Sequence, residues 1–139
     1  MLAIHTGTYI TLLVGLMLLF IVFEVRAWRR RVRRITSSRD ELSFDEWLKL
    51  SRLESLDSQH RQLVQQVLEI ASDCYMLPPT CLRMEDGFWD ELGLDNWLSN
   101  GDDALETLQE RLPDELNIAW DKDWATIGDV IRGVVAAPS

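Results

Sequence analysis

Carboxylates are the side chains best placed for chemistry in this chain of 139 residues, which holds 23 Asp and Glu. Asp102, Glu106 and Glu110 recur every four residues, with Asp103 beside the first. On a helix this spacing places them on one face. Acids act as general acid and base only where partial burial tunes a pKa. The pattern predicts a solvated acidic stripe, which favours binding over catalysis.

Other groups capable of catalysis or metal binding are sparse. Glu85 and Asp86 form a second adjacent acid pair. The cysteines and histidines are Cys74, Cys81, His5 and His60. A zinc site needs about four N/S ligands at close spacing, and the chain has no CxxC, GxSxG, P-loop or HExxH pattern. We therefore expect no catalytic residue, no metal and no cofactor, with both thiols acting as small core residues.

The N-terminal segment is apolar over residues 4–23, which contain no Asp, Glu, Lys or Arg. Twenty helical residues at about 1.5 Å each span the roughly 30 Å hydrocarbon core of a bilayer. A cleaved signal would carry positive charge before the apolar run, whereas here the arginines follow it. The segment is predicted to be one transmembrane helix.

Charge is divided sharply along the chain. Seven arginines and one acid give residues 1–39 a net charge of +6, and seven bases against 22 acids give residues 40–139 a net charge of −15. The residues that flank the apolar segment are Arg26, Trp28, Arg29, Arg30, Arg31, Arg33 and Arg34. The positive-inside rule predicts an exterior N-terminus and a cytoplasmic C-terminal domain, with these residues at the lipid headgroups. The acidic domain would repel nucleic acid, and its charge either attracts a basic protein or only keeps the domain soluble.

A stripe of small residues runs along the apolar segment. Gly7, Thr11 and Gly15 recur every four residues. Small residues at this spacing let two membrane helices approach closely. The stripe predicts possible self-association, although Gly and Thr are also common in membrane helices.

The sequence beyond the anchor predicts an all-α four-helix bundle. We divide the chain into an anchor with its arginine cluster over residues 1–35, a linker over 36–42 and an acidic helical domain over 43–139. Ser43 with Glu46, and Thr126 with Asp129, have capping-box spacing and predict helix starts. A helix is predicted over residues 58–74, and another from 101, after a cap at Ser99 or Asn100, to a stop at Pro113. The loop between them is predicted to be packed by its apolar residues Phe88, Trp89, Leu92 and Leu94.

The order of these parts resembles the acyl carrier proteins over roughly residues 58–136. The loop ends in Asp90-Glu-Leu-Gly-Leu-Asp95, an acidic helix follows, and Thr126-Ile-Gly-Asp-Val130 opens the closing helix. Carrier proteins have a similar Asp-x-Leu-Gly-x-Asp-Ser-Leu motif. The resemblance implies a serine that carries 4′-phosphopantetheine and an acidic helix that docks on basic partner enzymes.

The attachment serine is missing from its place in this motif. Asn96 follows the motif, and alignment on the helix start gives Gly101 instead. Ser99 lies between the two, without the flanking Asp and Leu. The Gly-Asp-Asp-Ala start is similar to a bacterial family of acyl-carrier-like domains, the domain of unknown function numbered 1493, in which the serine is also missing. This resemblance implies an unmodified domain at a bacterial inner membrane.

The leading functional hypothesis is a non-catalytic, membrane-anchored adaptor whose acidic helix docks a basic protein. The alternatives are an atypical acyl or peptidyl carrier modified at Ser99, a small accessory subunit of a membrane complex, and an immunity-type protein that neutralises a basic toxin. The modification state separates the carrier from the others, and the location of partner contacts separates the adaptor from the accessory subunit.

The arginine cluster generates a topology prediction. A phosphatase that is active only when exported, fused to the C-terminus, is expected to be inactive, and a fluorescent protein at the same position is expected to fluoresce. An active phosphatase with a dark fluorescent fusion would contradict the predicted orientation.

Overall fold

The computed structural model describes residues 2–93 and 101–137 of the chain. Within these ranges it is all-helical and has no strand, which confirms the predicted fold class. The helices are α1 (Leu2–Ser38), α2 (Phe44–Leu50), α3 (Ser58–Tyr75), α4 (Gly101–Leu116) and α5 (Ile127–Ala136), with a 3₁₀ turn at Pro79–Cys81. An isolated antiparallel bridge joins Gly87 to Thr126. This bridge ties the loop after the 3₁₀ turn to the start of α5.

Helix α1 is long and apolar enough to cross a membrane. None of its most apolar stretch is buried within the chain, and side chains such as Leu16 and Leu19 are about 70% exposed (71% and 70%). A buried core helix would hide such residues from water. The apolar half of α1 is therefore free to meet an apolar environment outside the protein.

The last turns of α1 pack into the domain. Ile35 is only 4% exposed and belongs to the same core as α3 and α5, with Val32 packed beside it. The helix continues to Ser38 instead of ending near Ile35. The hydroxyls of Thr36 and Ser38 donate to the carbonyls of Val32 and Ile35, at 2.7 and 3.1 Å. Carbonyls near a helix end need such partners. Residues 36–38 of the predicted linker are therefore the last residues of α1.

The predicted helix starts in the domain are confirmed where the structure describes them. Ser43 and Glu46 close a capping box at α2, with Ser43 N donating to Glu46 Oε2 at 2.8 Å. Thr126 and Asp129 close a second box at α5. Each box satisfies two backbone donors that the first turn leaves unpaired. The cap proposed for α4 at Ser99 or Asn100 lies outside the described residues.

Helix α3 supplies the centre of the core. Its stripe of Val64, Val67, Leu68 and Ala71 is buried against α4 and α5. The core residues from the other helices are Trp47 and Leu48 of α2, Leu105, Leu108 and Leu112 of α4, and Ile127, Val130, Ile131 and Val134 of α5. The three- and four-residue steps in the sequence thus mark the buried faces.

The prediction that Pro113 stops its helix is wrong, because α4 continues to Leu116. Proline removes one backbone donor, but the extra turn packs Leu116 against the core. The helix ends instead at Leu116, and the next residue, Asn117, has a left-handed φ of 54°. Asn117 N and Ile118 N donate to the carbonyls of Pro113 and Leu112, at 3.0 and 3.3 Å. These bonds are the usual way to satisfy the last carbonyls of a helix.

The prediction that Trp89 plugs the core is also wrong, since its side chain is 61% exposed. Phe88 and Leu92 are buried as predicted, at 1% and 0% exposure. The backbone turns between them, with Leu92 N donating to Gly87 O at 3.1 Å. Residues four apart in a helix-like turn share a face, so the residue after Phe88 points away. Leu94, the fourth predicted plug, lies outside the described residues.

This contrast predicts different costs for two truncations. Leu92→Ala is expected to lower the free energy of unfolding by about 2–5 kcal/mol, because it leaves a cavity in the core. Trp89→Ala is expected to change it by no more than about 1 kcal/mol, as an exposed substitution does. Thermal unfolding of the two full-length variants in mild detergent measures both. Equal melting temperatures for the two variants would contradict the assigned burial.

Candidate functional site

Helix α4 carries the acidic stripe predicted from the sequence. Asp103, Glu106 and Glu110 are exposed, while Leu105 and Leu108 face the core. Asp102 lies in the first turn, and its side chain is not described. Asp114 continues the four-residue spacing and is exposed. The predicted stripe stops at Glu110, because the sequence pattern places the end of the helix at Pro113. We call Asp103, Glu106, Glu110 and Asp114 the acidic α4 face.

The carboxylates of the acidic α4 face make no ion pair within residues 2–93 and 101–137. The one arginine of α4, Arg111, is held elsewhere. Its guanidinium lies 2.5 Å from Glu115 and 3.5 Å from Asp73. The hydrogen bond that Arg111 donates to Glu115 raises the pKa of Arg111 and lowers the pKa of Glu115. This arginine thus leaves the neighbouring carboxylates uncompensated.

The second acid pair, Glu85 and Asp86, is split by the fold. Glu85 is exposed, whereas Asp86 is 1% exposed. Both carboxylate oxygens of Asp86 accept from Arg39, at 2.6 and 2.7 Å, and Arg83 N donates to it at 2.8 Å. This hydrogen bonding raises the pKa of Arg39. Asp86 therefore fastens the end of α1 to the loop that follows the 3₁₀ turn and is a structural residue.

Metal-binding and thiol groups are dispersed in the described part of the chain. No three His, Cys, Asp or Glu side chains there come close enough to hold a metal ion. Cys81 is buried and Cys74 is half-buried, and both are free thiols. Burial raises the pKa of each thiol, which disfavours the reactive thiolate. His60 is not part of a metal-binding group among the described residues. Its Nδ1 lies 2.5 Å from a carboxylate oxygen of the exposed Asp57.

The arginines of α1 serve two different faces of the helix. Arg31 is 7% exposed, and its Nη1 and Nη2 donate to the carbonyls of Leu92 and Tyr75, at 2.8 and 2.7 Å. The guanidinium lies 5.9 Å from the centre of the Tyr75 ring. Burial lowers the pKa of Arg31. Arg34 also turns to the domain, donating to Glu91 O at 3.3 Å. Arg31 was assigned to the lipid headgroups, but the structure places it inside the protein.

The other residues around the end of the apolar segment also divide into a partly buried group and an exposed group. Trp28 and Glu24 are partly buried, and their Nε1 and Oε1 atoms are enclosed without a hydrogen-bond partner among the described residues. Trp28 lies one turn before Arg31, on the side of α1 that meets the domain. Arg34 is exposed although it donates to the domain, and the other exposed flanking arginines are Arg26, Arg29, Arg30 and Arg33.

The small-residue stripe of α1 is open. A Cβ added at Gly7 or Gly15 would meet nothing within 4 Å. The Thr11 hydroxyl donates to Gly7 O at 2.9 Å, so its polar atom is satisfied within the helix. The stripe is accessible to a second helix, and self-association stays a prediction.

Ser99, the residue of the alternative carrier hypothesis, lies outside the described residues. Comparisons of the chain with protein-family models, curated proteins and solved structures find no significant match. The resemblance to acyl carrier proteins and to the family numbered 1493 therefore stays a prediction.

The division of the arginines predicts opposite results for two neighbouring residues. Arg31→Ala leaves two buried carbonyls unpaired and is expected to lower the free energy of unfolding by about 2–4 kcal/mol. Arg30→Ala removes the same charge from an exposed position and is expected to change it by about 0.5 kcal/mol or less. Thermal unfolding of both full-length variants, followed by tryptophan fluorescence, tests the pair. A stable Arg31→Ala variant would show that the contact between α1 and the domain is dispensable.

Proposed function

We propose that this chain is a non-catalytic docking module anchored in a membrane. The apolar half of α1 crosses the bilayer with the N-terminus outside, and the acidic domain lies in the cytoplasm. The acidic α4 face binds a basic surface of a partner protein, and the anchor keeps that partner close to the membrane.

The observation that carries the proposal is the unpaired acidic α4 face. Exposed carboxylates occupy successive turns of one helix, and the neighbouring arginine is held by Glu115 and Asp73. Residues 40–139 add a surrounding net charge of −15. A surface of one sign attracts a partner of the opposite sign and accelerates its association.

The surroundings of these carboxylates favour binding over catalysis. A catalytic acid needs a pKa shifted by burial or by a close charged neighbour. The side chains of Glu106 and Glu110 are exposed, and neither has an ion-pair partner in the described part of the protein. An exposed carboxylate without an ion-pair partner is suited to serve as a charge that a partner recognises.

Two features support the membrane setting and the orientation. The apolar half of α1 is exposed along its length, and arginines begin three residues after Phe23. Arginines beside a membrane span keep their flank in the cytoplasm. The resemblance to carrier proteins adds support, since it implies docking through the acidic helix that follows the packed loop.

Charge reversal on α4 tests the docking proposal. The triple variant Glu106→Lys, Glu110→Lys, Asp114→Lys is expected to lose the partner, because the three side chains are exposed and the new charges repel a basic surface. Full-length protein is affinity-purified in mild detergent, and the co-purifying proteins are quantified by mass spectrometry. Recovery by the wild type is expected to fall between about 0.15 and 1 M salt, as the Debye length shrinks from about 8 to 3 Å.

The matched control reverses three exposed carboxylates outside α4, with Glu41→Lys, Glu69→Lys and Glu85→Lys. It makes the same change in net charge and is expected to retain the partner. A set of bound proteins unchanged by the α4 variant would exclude the acidic α4 face. Loss in both triple variants would show that net charge, and not this face, governs binding.

A further inference from the structure

We infer that Arg26, Arg29, Arg30 and Arg33 form a binding surface for anionic phospholipid headgroups of the leaflet beside the domain. We call these four residues the arginine face of α1. The inference rests on the proposed membrane anchoring, and it is independent of the acidic α4 face.

The arginine face is a distinct side of the helix. At about 100° per residue, the four positions fall within an arc of roughly 100°. Arg31 and Ile35, which pack into the domain, lie on the opposite side. The packing fixes the rotation of α1 relative to the domain, so the arginine face is held outward.

The four arginines have no partner in the part of the chain that the structure describes. All are exposed, and none makes an ion pair or a side-chain hydrogen bond within residues 2–93 and 101–137. They line an open groove of about 350 Å³. By contrast, Arg31 and Arg39 are held by carbonyl and carboxylate groups of the domain. Four guanidinium groups around one groove, without a partner among the described residues, are available to bind an external anion.

The position along α1 identifies that anion as a lipid headgroup. Arg26 lies three residues and Arg33 ten residues beyond Phe23, or about 4.5 and 15 Å along the axis. The headgroup layer is roughly 5–8 Å thick, and arginine side chains can reach back towards it. Guanidinium forks match phosphate oxygens in pairs. A soluble anion would not explain why the face begins where the exposed apolar segment ends.

Lipid competition tests the arginine face. Purified full-length protein in mild detergent receives equal amounts of phosphatidylglycerol and phosphatidylcholine with the same acyl chains, and native mass spectrometry counts the lipids retained. The wild type is expected to retain phosphatidylglycerol preferentially. The double variants Arg26→Gln with Arg30→Gln, and Arg29→Gln with Arg33→Gln, are expected to lower the ratio at least about fivefold, since a basic side chain at a membrane surface contributes about 1 kcal/mol.

The control variant removes two exposed bases of the domain, Arg52→Gln and Lys122→Gln, and is expected to retain the wild-type ratio. Each double variant keeps five of the seven N-terminal arginines, so the orientation signal is largely preserved. Equal retention of the two lipids by the wild type, or an unchanged ratio in both arginine variants, would overturn the inference. Nucleic acid that co-purifies with the wild type and is lost from these variants would assign the face to nucleic acid instead.

A separate fractionation distinguishes failure of the lipid surface from failure of the anchor. Wild-type protein that leaves the membrane fraction in an alkaline wash would overturn the proposed anchoring. Protein that stays in the membrane fraction without lipid preference would overturn only the lipid surface.

Discussion

The attachment of α1 to the domain is the interaction on which the other features depend. Arg31 holds it by donating to two carbonyls from separate segments, Tyr75 at the end of α3 and Leu92 in the following loop. Arg39 adds a second tie to the buried Asp86. A buried carbonyl or carboxylate that loses its partner costs more free energy than an exposed ion pair contributes, so these contacts stabilise the attachment of α1. The domain thereby begins within α1, several residues before the segment that composition alone marks as a linker.

The sequence predicted the elements whose signals are local. Capping boxes at Ser43 and Thr126 and the apolar stripe of α3 depend on residues within a few positions of one another, and all lie where predicted. The misplaced features depend on distant packing. The seven N-terminal arginines have similar sequence surroundings, and only the fold shows that Arg31 meets carbonyls from far along the chain. The predictions for Trp89 and Pro113 are wrong for the same reason. The residue type alone predicts burial or a helix end, whereas the outcome depends on the residues that the fold brings next to it.

The candidate site was predictable in part, because a helical repeat of acids is visible as a pattern. The limit of the stripe at Asp114 was not predictable, since it required α4 to pass through Pro113.

The separation of the charges follows from which of them find partners within the fold. Arg31 and Arg39 donate to carbonyls of the domain and to Asp86, and Arg111 pairs with Glu115 and Asp73. Among the charges without an ion-pair partner in the described residues are two groups on separate helices, the exposed arginines of α1 and the acidic α4 face.

The unbroken course of α1 has a consequence for the geometry of any pair of copies. At about 100° per residue, Gly7, Thr11 and Gly15 lie on the side of α1 away from the docked domain, close in rotation to the exposed arginines. Two copies joined through that stripe would stand back to back, with their helices in the middle and their domains pointing in opposite directions. The guanidinium groups of both copies would crowd into one central seam, where their mutual repulsion opposes pairing unless anions fill the gap.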